Sequence, residues 1–324
     1  VSTPAELAPV LEAGGVELSR WMHRTESRLA EVADGHGADL SAHANGTLSA
    51  GGKRLRPLLV FLCAADGEAA LPAAVAVEML HMATLVHDDV LDRAELRRGQ
   101  PTVFSTGGRE AATATGDLLF SRAFAELAST GNAEAVRALS MASDGLVRGE
   151  LMQRADAWSL DVTPERYLER CRLKTATLFE AACRMGAVLG GDPTAVDALA
   201  RFGERIGLAF QLLDDVLDVS GPPERTGKPR GADLLDGTVT LPLILARRRD
   251  PELAAINLQE LATGPARVAA VCDHIATSGA LGDVRAEALH HVAEAKAALT
   301  GVELPGARRL ALDLVADGVV ERYA

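Results

Sequence analysis

Val77–Asp92 reads VEMLHMATLVHDDVLD and Ile206–Asp218 reads IGLAFQLLDDVLD. Both stretches are mostly apolar and both end on Asp-Asp-Val-Leu-Asp, so two buried helices carry the same acidic terminus. At about 100° per residue, the first and fifth positions of the pentapeptide lie about 40° apart, pairing Asp88 with Asp92 and Asp214 with Asp218. Carboxylates this close repel unless a cation sits between their oxygens. The hard, oxygen-seeking candidate is Mg²⁺, held by one or two carboxylates while phosphate oxygens and water fill its other positions. One such cluster reads as a solvated helix end. Its repetition after two apolar helices favours a pair of metal-binding claws that grip a diphosphate.

The rest of the chain agrees with a helical reading. With 324 residues, 48% of them apolar and only 3% aromatic, it can bury a large core. No run combines period-two alternation with β-branched enrichment, and no linker divides the sequence, so a single all-α domain over residues 1–324 is expected. Prolines in first-turn positions, as in Thr3-Pro4, Leu71-Pro72, Thr163-Pro164 and Asp192-Pro193, mark helix starts. The expected helices run near 5–33, 37–49, 54–65, 72–92, 109–128, 132–156, 164–189, 193–219 and 238–249, with three or four more to the end. Two polar, Gly/Pro-punctuated stretches, Arg93–Gly108 and Gly221–Gly237, follow the acidic motifs directly and read as functional loops.

A net charge of −12 disfavours nucleic acid as a partner. The four cysteines, Cys63, Cys171, Cys183 and Cys272, fall at no metal or disulfide spacing and read as buried free thiols of a reducing compartment. No signal peptide is legible near Val1, and no apolar run reaches the ~20 residues that span a bilayer. A cytoplasmic protein without a transmembrane segment is expected.

Positive charge gathers in Gly51-Gly52-Lys53-Arg54-Leu55-Arg56-Pro57, in Arg97-Arg98-Gly99 and at Lys228, and Lys and Arg are the usual donors to phosphate oxygens. Taken in order, Gly-Gly-Lys-Arg-x-Arg-Pro, His-Asp-Asp-x-x-Asp followed by Arg-Arg-Gly, Lys174-Thr175, and Phe210-Gln211-x-x-Asp-Asp-x-x-Asp resemble the pattern of trans-prenyl diphosphate synthases. The resemblance spans roughly residues 51 to 242 and is specific only in combination. It implies the terpenoid-synthase fold, a bundle of long helices around a central cavity, usually as a homodimer. The implied reaction joins isopentenyl diphosphate head to tail onto an allylic diphosphate, with three Mg²⁺ ions when substrate is bound.

By that resemblance, Lys53, Arg56, His81 and Arg98 hold the diphosphate of isopentenyl diphosphate. Arg97, Lys174, Thr175, Gln211 and Lys228 hold the allylic diphosphate. Asp88, Asp92 and Asp214 ligate magnesium, while Asp89, Asp215 and Asp218 act through water or neighbouring groups. Without the family, His81 would read as a core histidine and Lys174 as a surface lysine. One departure stands out: many relatives have Gly-Lys-x-Thr-Leu-Pro where this chain has Gly237-Thr238-Val239-Thr240-Leu241-Pro242, one cation fewer at the diphosphate end.

Product length should depend on Leu80, Ala83 and Thr84, one and two turns before Asp88. Neither Ala83 nor Thr84 is aromatic, so a tunnel left open beneath the first claw predicts a long product of six to ten isoprene units, unless Leu139 or Met141 closes it. If Ala83 serves only close helix packing, a farnesyl or geranylgeranyl product follows instead. A terpene cyclase lacks a second Asp-rich claw, a di-iron bundle needs paired Glu-x-x-His, and a non-catalytic subunit of a heteromeric synthase usually lacks intact acidic motifs. All three readings fit less well.

Overall fold

The computed structural model describes residues 7–49, 51–97, 99–191, 193–221, 229–261 and 264–321. Among these residues the regular secondary structure is helical apart from one hairpin of two two-residue strands. It divides into two compact units, both discontinuous in sequence. The first comprises Val1–Ser143, Leu178–Gly203 and Leu299–Val315, and the second Asp144–Thr177, Glu204–Ala298 and Ala316–Ala324.

The first unit opens with α1 (Ala8–Ala33), α2 (Ala38–Ser49), α3 (Leu55–Cys63) and α4 (Gly67–Asp92). Helix α4 is its centre, packed on α1, α2, α3 and α5 (Val103–Ala128), and every residue from Ala73 to Leu80 is buried. The helix starts five residues before the expected Pro72, because Asp66 caps it by accepting from the Glu68 N–H at 2.9 Å. It ends where Arg93 turns left-handed at φ 53° and returns its N–H to the Asp89 carbonyl. Where α4 meets α5, a Cβ on Gly116 would stand 2.3 Å from the His87 ring, so a larger residue there would displace that side chain.

Two expectations are corrected here. Arg93–Gly108 is not a loop throughout: β1 (Leu96–Arg97) and β2 (Gln100–Pro101) form an antiparallel hairpin, and α5 begins at Val103 under a Thr102 cap. Gly108, at φ 78°, kinks α5 and made residue 109 look like its start. The expectation that no stretch is long and apolar enough to span a bilayer fails by length and composition for α4. Some 67% of its most apolar window is buried within the protein, as in the core helix of a folded domain. All four cysteines are buried thiols, as expected.

α6 (Ala133–Asp156) begins under an Asn132 cap whose side-chain oxygen accepts from Glu134 and Ala135, and its second half belongs to the second unit. There, α7 (Pro164–Cys171) continues through a π turn at Arg172–Ala176 into α8 (Thr177–Leu189), which from Leu178 on belongs to the first unit; one unbroken helix was expected. α9 (Val196–Ser220) carries the second acidic motif. The expected loop after it contains the short helix α10 (Ala232–Leu235), followed by α11 (Leu241–Ala246). Then come α12 (Pro251–Ala254), α13 (Leu258–Leu261), α14 (Pro265–Thr277), α15 (Ala280–Ala298) and α16 (Gly306–Glu321). Within this unit α11 packs on α7, α14 and α15. The buried Arg170 of α7 reaches forward to the Val239 carbonyl at 2.5 Å, tying α7 to the approach of α11.

Candidate active site

In the first unit the acidic motif splits by side. Asp88 is half-buried and Asp92 exposed, whereas Asp89 is buried and bound by the Arg97 guanidinium at 2.8 Å. Burial pushes the Asp89 carboxyl up while Arg97 pulls it back down. The ion pair ties the hairpin to the end of α4, and both residues line a cavity of about 470 Å³ with His43, Thr47, Met82 and Val86. Arg97, expected at the allylic diphosphate, thus also holds Asp89 through its Nε, with its side chain a third exposed. Arg98 lies outside the described residues.

The basic motif before α3 is anchored by its second member. Arg54, left-handed at φ 50° and only 6% exposed, binds Glu26 at 2.6 Å, Glu78 at 2.7 Å and the Leu48 carbonyl. A charge buried this deeply is tolerable only when so fully paired. Lys53 and Arg56 flank it and stay half-buried, with Arg56 stacked over the Phe179 ring at 4.5 Å. Sequence reasoning missed Arg54 as an anchor, although Glu78, one turn before His81 on α4, was the available signal.

Along α4, His81, Thr84 and Asp88 are half-buried at helical spacing on one face, and the Thr84 hydroxyl bonds back to the His81 carbonyl at 2.7 Å. Leu80 and Ala83 are fully buried. Leu139 is fully buried too, whereas Met141 is 67% exposed.

In the second unit, Lys174 and Thr175 occupy the π turn. Residues Tyr167 and Thr175 would diverge by about 80° on an unbroken α-helix, and the extra residue a π turn absorbs reduces this to about 20°. Both then bond to α9. The Thr175 hydroxyl donates to the Gln211 side-chain oxygen at 2.7 Å, the Gln211 amide donates to Asp215 at 2.7 Å, and the Tyr167 hydroxyl donates to the other Asp215 oxygen at 2.5 Å. Asp215 is 2% exposed, and its burial, with Asp233 nearby, pushes its carboxyl well above the usual range against those donors. A Cβ on Gly149 of α6 would come within 2.6 Å of the Lys174 backbone, so glycine lets α6 lie directly on the π turn.

Lys174 itself donates to Glu150 at 2.5 Å and to Gln153 at 3.2 Å. Burial opposes the Glu150 charge, yet Lys174 and Arg154 hold its carboxyl below the ordinary range. Neither Glu150 nor Tyr167 was singled out from the sequence, because their partners lie 24 and 48 residues away. Asp214 and Asp218 are half-buried, and an Asp218 oxygen accepts from the Asp233 N–H at 3.3 Å. Thr238 is half-buried with its N–H on the Asp233 carbonyl, and Lys228 lies outside the described residues.

Two outward carboxylate pairs and a polar π turn are what a diphosphate-handling protein needs, and the polyprenyl synthetase family model matches residues 38–276. The chain belongs to that family. As a polyprenyl synthetase it is a prenyltransferase, all-α like its relatives. It is 41% identical over 272 residues to heptaprenyl diphosphate synthase component 2 of Geobacillus stearothermophilus, covering 82% of this chain and 85% of that one. It is 41% identical over 217 residues to the geranylgeranyl diphosphate synthase of Methanosarcina mazei, covering 64% and 67%. Among solved structures, a polyprenyl synthase from Caulobacter crescentus CB15, complexed with calcium and isoprenyl diphosphate, superposes with a TM-score of 0.90 at 35% identity, over 97% of this chain and 98% of that one.

Proposed function

We propose that this polyprenyl synthetase condenses isopentenyl diphosphate head to tail with an allylic diphosphate, depends on magnesium, and makes a long all-trans product. The observation that carries this reading is the division of labour within each acidic motif. The middle carboxylate is buried and bonded within its own unit, while Asp88, Asp92 and Asp214 keep solvent-accessible surface.

Among the described residues, no group of three or more His, Cys, Asp or Glu is gathered closely enough to hold a metal unaided. That sparse carboxylate supply fits Mg²⁺, which takes few protein ligands and completes its shell with phosphate and water. Asp88, Asp92 and Asp214 are the residues that would hold it. When bound, magnesium supplies the positive charge that stabilises a departing diphosphate.

The chain's own residues do the rest. Lys174, fixed in the π turn by Glu150 and Gln153, and Gln211, fixed by Thr175 and Asp215, orient the allylic diphosphate, together with Lys228. Lys53, Arg56, His81 and Arg98 hold isopentenyl diphosphate so that its double bond meets the allylic carbon as the carbon–oxygen bond breaks. Held in that geometry, two substrates react as one. Proton loss from the new carbon skeleton restores an allylic diphosphate longer by one isoprene unit. No side chain is required as base, since the departing diphosphate lies beside that proton.

Thr84, on the half-open face with His81 and Asp88, is the first residue the growing tail meets, and the absence of an aromatic at Leu80, Ala83 or Thr84 supports a long chain. A homodimer in the cytoplasm completes the reading, and Val147 and Leu151, exposed one turn apart on α6, support a partner surface. The component 2 designation of the Geobacillus relative supports a second assembly, with a different partner chain.

Purified protein incubated with Mg²⁺, labelled isopentenyl diphosphate and farnesyl diphosphate should yield products of six or more isoprene units after dephosphorylation. A stop at geranylgeranyl length keeps the enzyme and removes the long-chain assignment. No elongation with any primer, while the purified chain is monodisperse, overturns the reading of this chain as a synthase and favours that of a subunit of a heteromeric synthase.

A further inference from the structure

We infer that Tyr167 is a positioning residue for the allylic substrate, acting through Asp215 on the side-chain amide of Gln211; the inference rests on the proposed prenyl transfer. The second aspartate of the second acidic motif then belongs to this device and not to the metal site.

The geometry assigns the roles. Asp215 is 2% exposed and Tyr167 1% exposed, so neither reaches solvent to compete for a ligand. A carboxylate that deep is costly unless its oxygens are engaged, and both are: one by the phenol at 2.5 Å, the other by the Gln211 amide at 2.7 Å. Both of its oxygens accept in this arrangement, which fixes which end of the Gln211 amide faces it. The amide nitrogen is turned to Asp215 and the oxygen to the Thr175 hydroxyl, at 2.7 Å. Gln211 is half-buried, so its second amide hydrogen can serve an incoming phosphate oxygen.

Tyr167 holds the far end of this relay. Its ring is packed in the interior of the second unit beside Cys171, which leaves the hydroxyl little freedom. The π turn allows the device to exist, since it alone returns Thr175 to the side of the helix that Tyr167 occupies. Remove the hydroxyl and Asp215 loses one donor, so the carboxylate can rotate and the Gln211 amide is free to flip. The consequence falls on allylic diphosphate binding and leaves isopentenyl diphosphate, gripped by residues of the first unit, unaffected.

The test is steady-state kinetics on Tyr167→Phe with farnesyl diphosphate as primer. The expected result is a KM for farnesyl diphosphate raised about tenfold, with the KM for isopentenyl diphosphate and the half-saturating Mg²⁺ concentration changed by less than about twofold. In a Gln211→Ala background the same substitution should add nothing further, because its effect passes through that amide. Asp215→Asn supplies the same readout if the phenylalanine variant does not fold. An amide can accept from Tyr167 only by presenting a donor to Gln211, so it enforces the flipped amide and the same allylic defect. A wild-type protein that elongates no primer overturns the functional reading and this inference together. An active wild type whose variants keep the farnesyl KM, lose affinity for both substrates alike, or lose it additively with Gln211→Ala overturns the inference alone.

Discussion

The same pentapeptide is folded twice and stabilised in two different ways. At the end of α4 the middle carboxylate, Asp89, is met by a cation from eight residues further on, Arg97, itself a third exposed. On α9 the equivalent Asp215 is met, among the described residues, by neutral donors, Tyr167 from 48 residues earlier and Gln211 from its own helix. Burying a carboxylate raises its pKa in both places, but Arg97 opposes that rise with a full charge and the phenol and amide do so with dipoles alone. The first motif is therefore stapled to a surface hairpin, and the second is built into the interior of its unit. Identical local sequence fixes which carboxylates point outward, and the surroundings decide what the inward one does.

The largest effect should come where the two motifs are alike. Asp88→Ala and Asp214→Ala should each lower elongation by on the order of a hundredfold or more at saturating Mg²⁺, measured as turnover of labelled isopentenyl diphosphate. Near-normal turnover in either variant would break the equivalence of the two claws. The next effect separates them. Arg97→Ala leaves Asp89 buried without its cation and should destabilise the protein by about 2 kcal/mol, read as a lower denaturant midpoint, with Asp89→Asn in the same chain recovering most of it. No comparable rescue is available at Asp215, where the donors are neutral.

A third, smaller effect compares two neighbours on α4. Ala83 is fully buried, so Ala83→Phe should overpack the helix contact and cost about 1–3 kcal/mol in thermal or chemical denaturation. Thr84→Phe should fold normally and shorten the product, because Thr84 lies on the half-open face with Asp88. Chain-length analysis of both variants distinguishes a tail that passes Thr84 from one that passes Ala83. Smallest of all, Thr238→Lys restores the cation many relatives carry beside the second motif. With Lys174 already anchored, it should change the KM for the allylic substrate by less than about threefold.

Much of this was legible early because it is local. The i,i+4 geometry of Asp88 and Asp92, the apolar run through Val77–Leu80 and the Asn132 start of α6 depend on neighbours within a turn or two. The helix starts that went astray did so for equally local reasons: Pro72 outranked the true cap at Asp66, and Gly108 hid the first turns of α5 behind a kink. The π turn was not legible, since Arg172–Ala176 has no sequence signature that sets it apart from the helices on either side. Nor was the Arg54 anchor, whose partners Glu26 and Glu78 come from two other helices.

The sequence by itself determined the all-α class and the family, and it nominated the carboxylates, lysines and arginines proposed to carry the chemistry, because helical periodicity and motif order are written residue by residue. The tertiary structure alone decided that Asp89 is tied to Arg97, that Asp215 is held by Tyr167, and that Ala83 is sealed while Thr84 is not. Those outcomes depend on burial and on donors far away in the chain, and a buried polar group takes whichever partner the packing brings within hydrogen-bond reach.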